Sequence, residues 1–236
     1  MSELESAAAN LLTERALPLG GVSGVPTMIQ SRYGNKGNFE LVTPMASGGL
    51  AHYWRNNDDP ALPWHGPTIF GQELGIVGSV SFIERKFGNP GNLEIVAGVG
   101  TTIEFLWRDS GTAFTRNGPT PIAASGISPV LIQSRFGAMG NFEILAIEPS
   151  ITPDRGIVHY WRNNDDSLLP WSELTVFGRD PARQTPIESL TFVQSNFGNP
   201  GNFEVIVRIG DQFVFFWRDS GPAFNWNGPL AVTSGS

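Results

Sequence analysis

The chain repeats one sequence unit four times, and this repetition constrains its fold more than any other feature. The eight letters HYWRNNDD stand at residues 52–59 and again at 159–166. A Trp-Arg pair anchors each copy of the unit, and the four tryptophans are Trp54, Trp107, Trp161 and Trp217. They are spaced 53, 54 and 56 residues apart. Units of this length bury their apolar faces against one another, so the chain is predicted to be a repeat protein.

Two further landmarks accompany every tryptophan. A segment before it ends in glutamate, and the four versions are RYGNKGNFE, KFGNPGNLE, RFGAMGNFE and NFGNPGNFE. A segment after it reads PWHGPTIFG, TRNGPTPIA, PWSELTVFG and NWNGPLAVT. Units one and three share HYWRNNDD and LPW, whereas units two and four share FGNPGN, WRDSG and AF. The sequence is therefore interpreted as a two-unit block that was itself doubled.

Each unit has the pattern of several short strands. Runs such as TMIQSRY, NFELVTP, GLAHYWRN and GPTIFG are separated by Gly, Asn and Pro, which favour tight turns. Four strands at a period near fifty residues are typical of a propeller blade. We predict an all-β fold, a four-bladed β-propeller with repeats at about 22–74, 75–125, 126–186 and 187–236. Residues 1–21 are predicted to form a short N-terminal helix and an extra strand.

The register of the second and third strands is predicted from the position of the turn between them. Placing Glu40 opposite Arg55, and the equivalent residues opposite each other in the other units, puts the midpoint of every hairpin in turn-like sequence. This register predicts a Glu–Arg ion pair within each sheet; the alternative is an arginine offered to a ligand. Apolar neighbours predict that both faces of the third strand are buried, and that Trp54 and its equivalents pack between blades.

Charge and composition argue against several classes of partner. The net charge is -7 and the only lysines are Lys36 and Lys86, so no basic stripe is available for nucleic acid or for an anionic membrane. There is no cysteine, which excludes disulfides and thiolate metal sites. The acidic N-terminal sequence is predicted to be neither a signal peptide nor a membrane-inserting segment. The compartment stays open, either the cytoplasm or release without a classical signal.

The motifs SRYGNKGNFELV, GLAHYWRNND, LPWHGP, FGNPGNLEIV and FLWRDSG resemble the repeats of the bacterial lectin family typified by the Photorhabdus propeller lectins. The resemblance covers residues 22–236. It implies a propeller that binds monosaccharides, typically fucose, in pockets between adjacent blades. The chain has four repeats where that family has seven. The ring is expected to close within one chain; the alternative is a homodimer whose two chains complete an eight-bladed ring.

The candidate ligand contacts are taken from the third landmark and from nearby asparagines, because sugar sites combine an aromatic face with planar polar groups. The predicted residues are Trp64, Trp171, Trp226, Arg116, Asn56, Asn57, Asn163 and Asn164. The alternative is that these tryptophans seal the seams between blades and that the asparagines form turns.

No catalytic residue, metal site or cofactor is predicted, since the chain has no nucleophile or phosphate-binding motif and NNDD does not match a calcium loop. His52 and His159 are interpreted as hydrogen-bonded core residues. The predicted function is a lectin with several similar sites, with glycans as partners. The alternatives are a small-molecule biosynthetic enzyme with one central pocket and a structural interaction module.

Overall fold

The protein is described by a computed structural model that covers residues 21–123, 125–221 and 223–232. The described residues form sixteen strands in four antiparallel sheets of four consecutive strands each. The predicted all-β propeller with four blades is thereby confirmed. The helix and most of the extra strand predicted for residues 1–21 lie outside the described residues. No helix in the described part of the chain is long and apolar enough to cross a membrane.

Each sheet is one blade, numbered in chain order. Blade 1 consists of β1 (Thr27–Gln30), β2 (Phe39–Pro44), β3 (Leu50–Arg55) and β4 (Trp64–Phe70). Blade 2 consists of β5 (Ser79–Glu84), β6 (Leu93–Val99), β7 (Thr102–Arg108) and β8 (Arg116–Ala123). Blade 3 consists of β9 (Ile127–Gln133), β10 (Phe142–Ile147), β11 (Ile157–Arg162) and β12 (Thr175–Phe177). Blade 4 consists of β13 (Ile187–Gln194), β14 (Phe203–Ile209), β15 (Gln212–Arg218) and β16 (Trp226–Ala231). One turn of 3₁₀ helix, Gln72–Leu74, follows β4.

The blades stack face to face, and the core lies between them. The first strands of consecutive blades contact one another in the order β1, β5, β9 and β13. Three apolar clusters fill the interfaces, which we call seam 1–2, seam 2–3 and seam 3–4 after the blades they join. The central strands are buried on both sides, as Leu50, Ala51 and Tyr53 of β3 illustrate. This confirms the prediction that both faces of the third strand are covered.

The expected closure of the ring within one chain is not seen among the described strands. The contacts that join β1 to β5, β5 to β9 and β9 to β13 have no counterpart of similar extent between β13 and β1. One face of blade 1 and one face of blade 4 therefore lack a neighbouring blade within the described part of the chain.

The predicted register of the second and third strands is wrong by one residue. Glu40 faces Trp54 and Arg55 faces Phe39, and the other three blades repeat this pairing. A slip of one residue moves a side chain to the opposite face of a sheet. The Glu and the Arg of one blade therefore project from opposite faces, so the ion pair predicted within each sheet does not form. Turn midpoints could not reveal this error, because both registers place the turn in the same loop.

Candidate functional site

Each of the three seams contains an open pocket built from the same set of residues. Seam 1–2 has a cavity of about 260 Å³, seam 2–3 one of about 350 Å³ and seam 3–4 one of about 230 Å³. These volumes lie near the lower end of the range for ligand pockets, which suits a small ligand.

Both neighbouring blades contribute to each pocket. Seam 1–2 is lined by Tyr33, Asn38, Glu40, His52, Trp54 and Thr68 from blade 1 and by Arg108, Phe114 and Arg116 from blade 2. Seam 2–3 is lined by Arg85, Asn92, Glu94, Phe105, Trp107 and Asp109 from blade 2 and by Arg162 and Leu169 from blade 3. Seam 3–4 is lined by Phe136, Asn141, Glu143 and Trp161 from blade 3 and by Arg218 and Phe224 from blade 4. In every case the preceding blade provides the glutamate and the strand-three tryptophan, and the following blade provides the arginine.

The register explains why the glutamate and the tryptophan meet in the pocket. Glu40 and Trp54 are directly opposite each other on β2 and β3, so both project from the same face. His52 lies two residues before Trp54 and therefore shares that face. Trp161, the equivalent of Trp54 in blade 3, is 38% exposed. Trp54, Trp107 and Trp161 thus lie at seams, as expected, and each of them also lines its seam pocket.

The glutamate of seam 1–2 is buried and held by two neighbours of its own blade. The Ser31 hydroxyl donates to Glu40 Oε1 at 3.1 Å, and His52 Nε2 lies 2.7 Å from Glu40 Oε2. On the other side of the imidazole, Arg116 Nη2 lies 3.2 Å from His52 Nδ1. Arginine can only donate, so Nδ1 accepts and Nε2 carries the proton that is donated to Glu40. Burial lowers the pKa of His52, and Arg108 and Arg116 lower it further, against the opposing effect of Glu40.

Each pocket arginine is held flat between aromatic rings. The Arg108 guanidinium carbon lies 4.7 Å from the centroid of the Tyr33 ring in blade 1 and 5.1 Å from that of Phe114 in blade 2. Its Nη2 atom is 3.8 Å from Glu40 Oε1 across the seam. These cation–π contacts with one ring of each blade restrict the position of the guanidinium. The pocket therefore offers a fixed fork of donors beside a fixed carboxylate.

An apolar residue with a left-handed backbone recurs in all four units, and in the three seam pockets it lines the pocket together with the arginine. The residues are Leu62, Phe114, Leu169 and Phe224, with φ between 46° and 50°. Each N–H donates to the carbonyl three residues earlier, which makes the same turn four times. A bulky residue in this region is strained. Such strain recurring at equivalent positions is typical of a functional site, because the surroundings must maintain it.

The first landmark forms the hairpin that carries the tyrosine and the glutamate into the pocket. The Ser31 N–H donates to the Asn38 carbonyl at 2.8 Å, and the Asn38 N–H donates to the Tyr33 carbonyl at 2.9 Å. Gly37 has φ +72°, and a Cβ there would collide with the Ser31 carbonyl. Glycine is therefore required at this turn, which explains the invariant GN of the four units.

In seam 2–3 the glutamate has different neighbouring residues from those in the other two seams. The position of Ser31 is occupied by Arg85 and that of His52 by Phe105. Glu94 thus has no serine or histidine beside it; Arg85 Nη1 is 3.7 Å from its Oε1. Burial raises the pKa of Glu94 to about 7, although Arg162 and Arg85 oppose the increase. This pocket can therefore hold a neutral carboxyl near pH 7.

The raised pKa of Glu94 predicts a pH-dependent stability. The folded chain holds the proton more tightly than the unfolded chain, whose carboxyl has a pKa near 4.5. The stability contributed by Glu94 is thus lost as pH rises through 7. We compare the free energy of unfolding of Glu94→Gln with that of the wild type. The difference should shift in favour of the variant by up to about 3 kcal/mol between pH 5 and pH 8. Urea unfolding at both pH values measures this difference; a constant difference, or an equal trend for the exposed control Glu73→Gln, would contradict it.

Four of the eight predicted contacts are equivalent residues, one from each blade, and each pairs with the arginine that follows the strand-three tryptophan. They are Trp64, Arg116, Trp171 and Trp226. Arg116 lines the pocket of seam 1–2. Trp171 packs edge-on against Phe105 at 5.7 Å, and Trp226 stacks on Phe177 at 3.8 Å, so both rings lie inside their seams. Trp64 packs against an apolar cluster on the face of blade 1 that has no neighbouring blade.

The four predicted asparagines form hydrogen bonds within their own blades. Asn57 and Asn164 are buried, and each accepts a hydrogen bond from the arginine that follows the strand-three tryptophan of its own blade. The Nε atom of Arg55 donates to Asn57 at 2.8 Å, and that of Arg162 donates to Asn164 at 2.9 Å. Asn56 and Asn163 follow a different pattern, because each side chain accepts from the backbone N–H two residues later. None of the four lines the pockets described above.

Sequence reasoning missed that the glutamates and the apolar residues of the left-handed turns line the seam pockets. The correct strand register would have revealed the glutamates. When Glu40 is opposite Trp54, the side chains of Glu40, His52 and Trp54 lie on one face of the sheet. The left-handed turn left no comparable signal, since leucine and phenylalanine are not typical of that conformation. Among the described residues, no group of three or more His, Asp or Glu side chains is arranged to hold a metal ion.

Comparison with known proteins supports the fold. No protein-family model matches the chain, and no curated protein does. An asparagine-to-glutamine variant of the Aleuria aurantia lectin in complex with Fucα1-6GlcNAc has a similar structure, with a TM-score of 0.62 and 15% identity over 90% of this chain and 63% of that one. A triple arginine-to-alanine variant of AofleA from Arthrobotrys oligospora is also similar, with a TM-score of 0.56 and 13% identity. That match covers 88% of this chain and 57% of AofleA. The chain thus spans less than two thirds of either protein.

Proposed function

We propose that this protein is a lectin that binds monosaccharide units in pockets at the seams between its blades. The observation that carries the proposal is that three separate interfaces assemble the same glutamate, arginine and tryptophan at equivalent positions. Glycans are accordingly the proposed partners. Three such sites belong to a single chain.

The chemistry of each pocket suits a sugar. A carboxylate accepts hydrogen bonds from neighbouring hydroxyls, and a guanidinium fork donates to their oxygen atoms. The partly exposed tryptophan offers a flat face to the C–H side of a pyranose ring. Glu40, Arg108 and Trp54 supply these groups in seam 1–2. Because the cation–π contacts hold the arginine in place, little side-chain entropy is lost when a ligand binds.

We propose fucose-type sugars as the preferred ligand. The C6 methyl group of fucose is apolar, and each pocket includes an apolar side chain from the left-handed turn: Phe114, Leu169 or Phe224. The complex of the similarly folded Aleuria aurantia lectin with a fucosylated disaccharide supports this choice. The residues that resemble the Photorhabdus-type repeats are also those that line the pockets, so we retain that family as part of the proposal.

The eight contacts expected from the sequence have three roles in this proposal. Arg116 contacts the ligand in seam 1–2, where it lines the pocket. Trp171, Asn57 and Asn164 act indirectly, since they contact or orient a neighbouring arginine. The remaining four support the blades: Trp226 packs on Phe177, Trp64 packs in an apolar cluster of blade 1, and Asn56 and Asn163 form turns. Repetition then has a functional value, because several weak sites on one rigid body raise avidity without improving any single site.

A glycan array followed by titration calorimetry with methyl α-L-fucopyranoside tests the proposal. We expect binding to fucosylated glycans at several similar sites per chain. EDTA should leave binding unchanged, because the pocket groups described above require no metal. An array without any fucosylated hit, or a single site per chain, would contradict the proposal. A single site would instead favour one pocket on the propeller axis.

A further inference from the structure

Among the described residues, two blade faces lack the neighbouring blade that the other blade faces have. We call the face of a blade that meets the following blade its forward face, and the face that meets the preceding blade its rear face. Blade 4 has a free forward face and blade 1 a free rear face among the described residues. The three internal seams show how a forward face and a rear face fit together.

The free forward face of blade 4 differs from those of the other blades in the burial of one residue. This residue stands four positions before the strand-three tryptophan. Leu50, Ile103 and Ile157 occupy that position in blades 1 to 3, and each is fully buried in the seam that follows it. The equivalent residue of blade 4 is Phe213, which is 52% exposed. A large aromatic residue therefore stands on the surface where the other three blades have a core residue.

The rear face shows the same contrast at the opposite end of the molecule. Phe82, Leu131 and Phe192 of blades 2 to 4 are buried in the seam that precedes each of them. The equivalent residue of blade 1 is Met28, which is 55% exposed. Tyr53, on the outer part of this rear face, is already buried, so the free area lies on the inner strands and at the pocket end.

A hydrogen bond that recurs at every internal seam lacks its donor at the free rear face of blade 1. The backbone N–H of Arg32 donates to Glu84 at 2.6 Å, and the equivalent N–H groups of blades 2 and 3 donate to Gln133 and Gln194 at 2.6 and 2.7 Å. Gln30 is the equivalent acceptor of blade 1. Its Nε2 donates to the Lys36 carbonyl in the way that Gln133 Nε2 donates within its own blade. Its Oε1 accepts no hydrogen bond within the described residues.

The free faces also carry the two halves of one more pocket. Blade 4 presents Glu204, which accepts from the Ser195 hydroxyl at 2.8 Å, together with Trp217 opposite it. Blade 1 presents Arg55 and the left-handed Leu62. Arg55 lies 4.3 Å from the Phe39 ring and donates from Nε to Asn57, which is the arrangement of Arg162 over Phe142 in seam 2–3. Each half is preorganised although the other half is absent.

We propose that the forward face of blade 4 packs against the rear face of blade 1 in a second copy of this chain. The new seam completes a further ligand site, with Glu204 and Trp217 from one copy and Arg55 and Leu62 from the other. A forward-to-rear contact is heterologous, and the smallest closed assembly that it builds is a ring of two chains with two such seams. The ligand assignment of this composite site rests on the proposed function; the seam itself does not.

The mass in solution tests the seam. Light scattering during gel filtration of the full chain should give twice the chain mass of 25.6 kDa. Phe213→Glu places a charge in the seam and should give the mass of one chain, whereas Ile151→Glu, which alters an exposed residue in a loop of blade 3, should keep the doubled mass. A wild-type mass of one chain, or a Phe213→Glu variant that stays double, would overturn the proposal.

The composite site is tested in a chain whose three internal sites are disabled. The triple variant Arg108→Ala, Arg162→Ala and Arg218→Ala should keep one site per chain for methyl α-L-fucopyranoside, and adding either Arg55→Ala or Glu204→Gln should abolish it. Co-expression of the two resulting quadruple variants should restore binding, because Glu204 of one chain meets Arg55 of the other.

The outcomes separate the two proposals. No restoration, or restoration at the mass of one chain, would overturn the composite site, while wild-type binding at the three internal seams would leave the lectin proposal standing. A wild-type protein that binds no fucoside would overturn the lectin and the composite site together. In that case the doubled mass and its loss in Phe213→Glu would still decide whether the seam between copies exists.

Discussion

Replacing the four arginines that follow the strand-three tryptophans should abolish sugar binding. The variant carries Arg55→Ala, Arg108→Ala, Arg162→Ala and Arg218→Ala. Each substitution removes the donor fork, and Arg108→Ala also removes the positive charge 3.8 Å from Glu40 Oε1. Loss of one partner from a desolvated charged contact costs about 2–5 kcal/mol, so affinity for methyl α-L-fucopyranoside should fall by roughly 30-fold or more. Titration calorimetry measures this loss.

Two control variants separate binding from folding. Arg179 and Arg208 are exposed and pair with Glu148 and Glu188; replacing both with alanine should leave affinity unchanged, because exposed ion pairs contribute little. Substituting lysine at the four pocket positions keeps the charge but loses the planar fork, and it should also weaken binding. If the alanine variant stays folded by circular dichroism and binds as the wild type does, the arginines are not ligand contacts.

Removing the Phe142 side chain should have the largest effect on stability. Phe142 is fully buried in seam 2–3, with the Arg162 guanidinium 4.3 Å from its ring centroid and Phe105 at 6.4 Å. Phe142→Ala leaves a cavity that two blades cannot both collapse to fill, so we expect a loss of about 3–5 kcal/mol. Urea unfolding measures the free energy of unfolding.

The exposed Ile151 provides the comparison for Phe142. Ile151→Ala should change the free energy of unfolding by less than about 0.5 kcal/mol, because the side chain makes no core contact. A cost below about 1 kcal/mol for Phe142→Ala would show that the seams contribute little to stability. The stacked-blade account of the core would then be wrong.

The repeat pattern was sufficient to predict the blades. A tryptophan every 53 to 56 residues, with turn residues between short apolar runs, predicts four similar four-stranded sheets. The two residues before each tryptophan, Tyr53 and His52 in the first unit, also predicted a strand covered on both faces. These features are local or periodic, and for that reason one sequence is enough to reveal them.

The site was harder to predict, because it depends on register and on neighbours in space. A shift of one residue between Glu40 and Arg55 changed an expected contact within a sheet into a contact across a seam. The sequence does not indicate which face of blade 1 packs against blade 2. The contact between Arg108 and Glu40 across the seam could therefore not be predicted. The third landmark was preferred over the strand-three tryptophans as the source of ligand contacts, yet Trp171 and Trp226 lie inside their seams, whereas Trp161 faces a pocket.

The decisive test of the lectin proposal is a crystal structure of the protein with methyl α-L-fucopyranoside. We expect a sugar in each seam pocket, with its hydroxyls on Glu40 and Arg108, and on the equivalent residues of the other seams, and with its methyl group against Phe114 or its counterpart. Sugar bound on the outer surface of the blades or on the propeller axis, with the seam pockets empty, would contradict it.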